Sequence, residues 1–266
     1  MAQVRNPLNI YKLLPKSNCG RCYLPSCLAF AAAVVKGEKR ADDCPFLDKG
    51  EAEKFVAATD MSDPDEAKRQ EKVRELQDGV AGLDLADVAE RVGGEVVDSR
   101  LLIKSLGKSF LIDRHGRVSS ECHTHSGLTI PLLSYIIESR GGKPAGDWVP
   151  FRELRGGAAM APLFASKGEQ GLKKLVDRHT DLLELLIDIF SGRRTVAGFS
   201  ADISVILYPL PKLPVLICYW KAEDDLESDL NIFFDSTATD HLGIRSIYAL
   251  AVGLVMMFDK IAQKHC

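Results

Sequence analysis

Four cysteines stand close together near the start of this 266-residue chain. Cys19, Cys22, Cys27 and Cys44 follow the spacing C-x2-C-x4-C-x16-C, with Pro45 directly after the last of them. Thiolates are soft ligands, and a compact set of four with no histidine among them favours iron-sulfur ligation or structural zinc over hard cations. Zinc ribbons usually pair two short C-x2-C knuckles. Here only Cys19 and Cys22 form one, and the cysteine-proline ending is also found in cluster-binding runs. A cubane is wider than one ion, so ligands spread over a loop, a helix start and a distal turn can embrace it. Disulfides would need an oxidising compartment, of which the chain shows no sign.

The segments around these cysteines are expected to position them. Residues 8–14 read as a short amphipathic helix with Leu8, Tyr11 and Leu14 on one face, stopped by Pro15. That face would cover the metal site and keep water from the sulfurs. Pro25 and Ser26 have helix-start character, and the alanine-rich run 28–36 continues from them, so Cys27 falls in the first turn. Free backbone N–H groups and the positive end of the helix dipole favour a thiolate there. Lys36-Gly37-Glu38-Lys39-Arg40 reads as the helix stop, and Gly20 permits close backbone approach beside the first ligand.

The run from Pro7 through Leu13-Leu14-Pro15-Lys16-Ser17-Asn18-Cys19 to Cys44-Pro45 resembles the 4Fe-4S module at the N-terminus of the corrinoid iron-sulfur protein large subunit. A similar module occurs in electron-transport complexes of anaerobes. The resemblance covers about residues 5–48 and implies that Cys19, Cys22, Cys27 and Cys44 hold one low-potential 4Fe-4S cluster.

A hydrophobic share of 46% and a charged share of 27% are ordinary for a globular protein, so disorder is not expected for the bulk of the chain. The net charge of −3 gives no footprint for nucleic acid, which would show a basic stripe. Residues 1–60 hold nine Lys or Arg and seven Asp or Glu, a net +2 that leaves −5 for the rest. Lys12, Lys16, Arg21, Lys36, Lys39 and Arg40 could steer an acidic redox partner, although a solvated surface balancing a negative cluster explains them better. The beginning of the chain lacks an apolar signal region, and no apolar run reaches the length of a membrane helix. These features read as a cytoplasmic protein without membrane insertion, in which Cys122, Cys218 and Cys266 stay reduced.

Three domain-level segments are expected: a cluster-binding module at 1–60, a linker helix within 61–80 starting at Met61-Ser62-Asp63-Pro64, and a larger domain at 81–266. The larger domain begins with a helix to about residue 92. Short β-type runs at 95–98, 101–105 and 109–113 follow, patterned as an antiparallel meander. Helices are expected at 128–139, 168–178 and 181–190, with 147–154 extended around Trp148 and Phe151. Runs 203–208 and 215–220 read as a hairpin around a stiff proline loop at 209–214, 231–235 as a strand, and 241–264 as a long closing helix. Gly79 to Gly82 and Gly141-Gly142 read as turns. The fold class is α+β: a small helical 4Fe-4S module, then a larger domain with an antiparallel sheet packed by helices.

Trp148-Val149-Pro150-Phe151-Arg152-Glu153-Leu154 with Gly156-Gly157, then Tyr208-Pro209-Leu210-Pro211 to Trp220, then Phe233-Phe234-Asp235, resemble a family of domains of unassigned function. That family often follows this cluster module in anaerobic bacteria and archaea. The resemblance covers about residues 80–260 and implies an architecture and an anaerobic setting, with no catalytic residues to carry over.

Other groups carry weaker chemistry. His123 and His125 beside Cys122 could meet one metal but lack further ligands at recognisable spacing, so a polar surface turn is the better reading. Glu223, Asp224, Asp225, Glu227 and Asp229 read as a solvated loop before a cation site. Trp148 and Trp220 could stack on a planar ligand, but core packing is the commoner role. No nucleotide-binding glycine motif, Walker loop or nucleophile elbow is present. The expected function is a cytoplasmic 4Fe-4S protein that passes single electrons to a redox partner, with a corrinoid protein as one version. An enzyme whose second domain binds a substrate or organic cofactor, and a non-redox protein with a structural cluster, are the alternatives.

Overall fold

A computed structural model describes residues 7–22, 24–35, 39, 43–47, 64–121, 126–196, 199–223 and 226–265. The chain divides into two compact units, Met1–Lys68 and Arg69–Cys266. The first is helical where described, with helices Pro7–Leu13 and Cys27–Val35. Pro7 occupies a helix start, where its missing N–H costs nothing. Ile10 and Leu14, four residues apart, pack with Phe30, Ala31 and Val34 of the second helix. Leu8, expected on that inner face, is 52% exposed. Ile10 and Leu14 lie on nearly the opposite side of the helix from Leu8.

Helix Pro64–Ala81 carries its Leu76 and Val80 into the core of the second unit. Its expected cap at 61–63 lies outside the described residues. Gly79, expected in a turn, is inside this helix, where a Cβ would stand 2.9 Å from Ile137 Cδ1. The next helix, Leu85–Val92, starts on Asp84, whose carboxylate accepts from the Ala86 N–H at 2.8 Å. It ends on left-handed Gly93.

Two antiparallel sheets build the second unit, where one was expected. Strands β1 (Glu95–Val97), β2 (Arg100–Ser105), β3 (Lys108–Ile112) and β4 (Val118–Ser120) form the meander in sequence order. Strands β5 (Trp148–Pro150), β6 (Arg193–Arg194), β7 (Ile203–Leu210), β8 (Leu213–Trp220) and β9 (Asp229–Asp235) pair in the order β5-β9-β8-β7-β6.

The expected proline loop is absent: β7 and β8 run on until only Pro211 and Lys212 separate them. Pro209 and Pro214 fall where the register shifts between Leu207 and Leu210, so no ladder hydrogen bond is required of them. The shift leaves the Tyr208 carbonyl free to accept from the Leu106 N–H of the meander at 2.8 Å, which ties the two sheets together.

One face of the five-stranded sheet packs against helices Gln170–Arg178, Leu182–Phe190 and Ile244–His265 through Val205, Leu207, Val215, Ile217 and Ile232. The other face carries Ile206, Leu216 and Cys218, with half-buried Trp148, Tyr208, Trp220 and Phe233 around them. Both tryptophans are therefore packing residues. Burial on two faces explains why β7 and β8 read as continuous apolar runs.

Other segments depart from expectation for identifiable reasons. After three extended residues the 147–154 stretch turns into a 3₁₀ helix, Phe151–Glu153, because Phe151 turns inward to stack on Phe164 with ring centroids 4.3 Å apart. Gly157 makes this turn possible, since a Cβ there would lie 1.9 Å from the Phe151 carbonyl oxygen. The helix expected from Gly168 is the last part of a longer helical stretch that begins at Ala161 and passes through a π-helical turn, Ala165–Glu169. The closing helix is interrupted: Ala238–His241 ends at extended Leu242, the Gly243 N–H donates to Glu138 Oε2 at 2.7 Å, and the chain restarts as Ile244–His265. Among the described residues, no helix is long and apolar enough to cross a membrane.

Candidate functional site

All four cysteines of the first unit line one cavity, together with Leu14, Pro15, Gly20, Leu24, Ser26, Phe30 and Pro45. Among the described residues no histidine or carboxylate lines it, so its strongest donors are the soft thiols. Cys22, Cys27 and Cys44 are buried, while Cys19 is exposed. Among the described residues, no three of His, Cys, Asp and Glu converge on a point suited to a single ion. Four thiols around one cavity are the donor type that iron-sulfur ligation uses.

Local sequence explains this placement. Pro15 ends the first helix, and the loop that follows holds Lys16, Asn18 and Gly20 at φ of 57°, 48° and 70°. Asn and Gly tolerate the left-handed region at little cost, whereas Lys16 stores strain of about 1 kcal/mol. The loop is held by Asn18, whose Oδ1 accepts from the Cys27 N–H at 2.8 Å. Ser26 caps the same helix, its hydroxyl accepting from the Ala29 N–H at 3.1 Å. Cys27 is the first helical residue, as its first-turn expectation required. The Arg21 N–H and the Ser17 hydroxyl hold the Cys19 thiol below its ordinary pKa, with a further contribution from the Arg21 charge.

Asn18 is a contributor that the spacing of the cysteines did not reveal. Its signal was an Asn directly before the first ligand, a residue type suited to accept from a nearby backbone N–H. Lys12, Lys16 and Arg21 are exposed, with Lys16 Nζ 5.7 Å from the Tyr11 ring centroid and the Arg21 guanidinium 5.2 Å from that of Phe46. Lys36 and Arg40 lie outside the described residues, as do Cys122, His123, His125, Asp224, Asp225 and Cys266. Glu223 and Glu227 are exposed, as the solvated-loop reading requires. Asp229 at the start of β9 accepts from the Asn231 amide at 3.1 Å.

In the second unit, several buried polar groups serve the fold. Asp235 is fully buried, with Oδ1 accepting from the N–H groups of Ala145 and Thr237 at 3.0 Å each and from the Thr237 hydroxyl at 2.6 Å. Its Oδ2 accepts from the Gly146 N–H at 2.7 Å. Burial alone would raise its pKa, but these donors outweigh burial and hold it below the usual carboxylate value. Tyr135 donates its hydroxyl to the Val92 carbonyl at 2.7 Å and accepts from the Lys212 N–H at 3.2 Å. The Arg91 guanidinium caps helix Ser126–Glu138 by donating to the carbonyls of Ile136, Ile137 and Ser139. Buried His241 shares a 3.0 Å hydrogen bond between Nδ1 and the Ser139 hydroxyl, and burial depresses its pKa.

Comparison with known proteins matches both units. The family described as "Domain of unknown function (DUF3786)" matches residues 84–257, and that described as "Putative Fe-S cluster" matches residues 14–46. The gamma subunit of the acetyl-CoA decarbonylase/synthase complex of Methanothermobacter thermautotrophicus is 47% identical over 48 residues, which are 18% of this chain and 10% of that protein. The corrinoid/iron-sulfur protein large subunit of Moorella thermoacetica is 47% identical over 51 residues, 19% of this chain and 11% of that protein. The corresponding gamma subunit of Methanosarcina acetivorans is 33% identical over 197 residues, 69% of this chain and 40% of that protein. The chain spans about a tenth of the length of the first two relatives. No solved structure matches. The similarity at the N-terminal segment supports an iron-sulfur-related role.

Proposed function

This chain belongs to the family of the domain of unknown function DUF3786, and we propose that, with the iron-sulfur module ahead of that domain, it is a one-electron carrier. Cys19, Cys22, Cys27 and Cys44 would hold one 4Fe-4S cluster, which when bound supplies low-potential single-electron transfer. The observation that carries this reading is the lining of one cavity by all four thiols, with no histidine or carboxylate among the described residues. The remaining residues have defined parts. Leu14 and Phe30 keep water from the buried thiols, Asn18 and Ser26 fix the helix start that presents Cys27, and exposed Cys19 gives the site a solvent-facing edge.

The functional module occupies residues 1–60, 61–80 join it to the larger domain, and 81–266 select the partner. That partner is a redox protein. The name of one relative, a corrinoid/iron-sulfur protein, favours a corrinoid protein, whose inactive cobalt(II) form would accept the electron. A reducing, cytoplasmic setting suits a chain that uses its cysteines in this way.

Anaerobic purification with iron and sulfide quantitation, followed by potentiometry, tests the reading. It expects about four irons per chain and a cluster reducible by dithionite. Changing any of Cys19, Cys22, Cys27 and Cys44 to alanine should lose or degrade the cluster, whereas Cys122, Cys218 or Cys266 to alanine should spare it. Iron well below four per chain in the unaltered protein would overturn the cubane. A cluster that dithionite cannot reduce would overturn the carrier role and leave a structural one. Oxidation of the reduced protein by a metabolite would favour an enzyme.

A further inference from the structure

The second unit holds an apolar cavity of about 130 Å³, walled by Phe110 of β3, Phe190, and Leu250 and Leu254 of helix Ile244–His265. A cavity of about 150 Å³ lined by such side chains stays dry and accepts a guest of benzene size. Two observations distinguish this one from a packing fault. Gly253 lines it from the middle of the long helix, and nothing lies within 4 Å of the place where its Cβ would stand. Neighbouring inward positions are large: Leu250, Leu254 and Phe258 are buried. Glycine is a poor residue for a helix interior, and here it leaves space that an alanine or leucine would fill.

The second observation is polar. Ser105 is only 3% exposed, lies on the inward face of β2 with Leu101 and Ile103, and lines the cavity. Ser105 pairs directly with Lys108 across the β2–β3 hairpin, so the two side chains emerge side by side on the face that lines the cavity. Lys108 is exposed, which places its ammonium at the rim.

We infer that this cavity binds a small aromatic or branched-chain carboxylate. Its apolar body enters over Gly253, and its carboxylate accepts from the Ser105 hydroxyl and faces the Lys108 ammonium. The site involves none of the module's cysteines, so it stands or falls independently of the proposed cluster.

Titration calorimetry of the full chain with benzoate, and separately with toluene, tests the inference. Benzoate should bind saturably at one site and more tightly than toluene. Gly253→Leu should abolish benzoate binding while raising the melting temperature, because it fills the cavity and improves the helix. Leu128→Phe fills the cavity from helix Ser126–Glu138 and gives a second test should the first variant fold poorly. Ser105→Ala should weaken benzoate about tenfold and Lys108→Gln about threefold, the latter with a loss of salt dependence. Absence of saturable benzoate binding, undiminished binding in a folded cavity-filled variant, or toluene binding as tightly as benzoate would each overturn it.

Discussion

Replacing Asp235 with asparagine should destabilise the second unit without touching the cysteines. The carboxylate accepts four hydrogen bonds: three at Oδ1, from the N–H groups of Ala145 and Thr237 and the Thr237 hydroxyl, and one at Oδ2, from the Gly146 N–H at 2.7 Å. Asparagine can keep the Oδ1 set, but its NH₂ then meets the Gly146 N–H, donor against donor. One charge-assisted bond is lost, the other three weaken with the loss of charge, and a backbone donor goes unpaired. Together these cost about 2–4 kcal/mol. In a unit of this size that lowers the melting temperature by roughly 5–15 °C.

Tryptophan fluorescence during urea unfolding is the assay, because Trp148 and Trp220 both lie in the second unit and Trp148 pairs with Asp235 across the sheet. The pH dependence has a definite sign. The folded pKa of Asp235 is depressed, so its contribution is fully present above the unfolded value of about 3.9 and is lost as pH falls through the folded pKa. The gap between wild type and Asp235→Asn should therefore narrow below about pH 4. A difference under about 0.5 kcal/mol at neutral pH, the ordinary range for surface substitutions, or a gap that stays constant into strong acid, would refute the assigned role.

Tyr135→Phe should cost about 1–3 kcal/mol by the same unfolding measurement, since it leaves the buried Val92 carbonyl and the Lys212 N–H without their shared partner. Gly157→Ala should be worse than a typical overpacking change and exceed about 3 kcal/mol, or yield insoluble protein. The added Cβ would meet backbone at the Phe151 carbonyl, not a side chain that could move. A soluble variant with wild-type melting temperature would show that the 3₁₀ turn is not tightly held.

Local chemistry made the first unit legible. Cys27 at a helix start follows from Pro25 and Ser26, and the site's soft donor set follows from residue type and spacing alone. The meander was also legible, because short β-type runs are separated by turns that carry glycine or paired polar residues. Nearest-neighbour signals failed where distant parts of the chain decide. Pro209 and Pro214 looked like a loop, yet they sit in strands because a register shift there requires no N–H from either. Phe151 looked extended, yet it turns inward to reach Phe164.

By itself the sequence determined the α+β class and the succession of most elements, since these depend on residue type and short-range periodicity. Only the tertiary structure decided that Asp235 is a buried lock, that Tyr135 joins a helix end to a hairpin turn, and that Ser105 opens onto a cavity beside Gly253. Each of those properties depends on groups far apart in the chain. A hydroxyl or carboxylate carries the same chemistry wherever it lies in the sequence, and its surroundings exist only once the chain has packed.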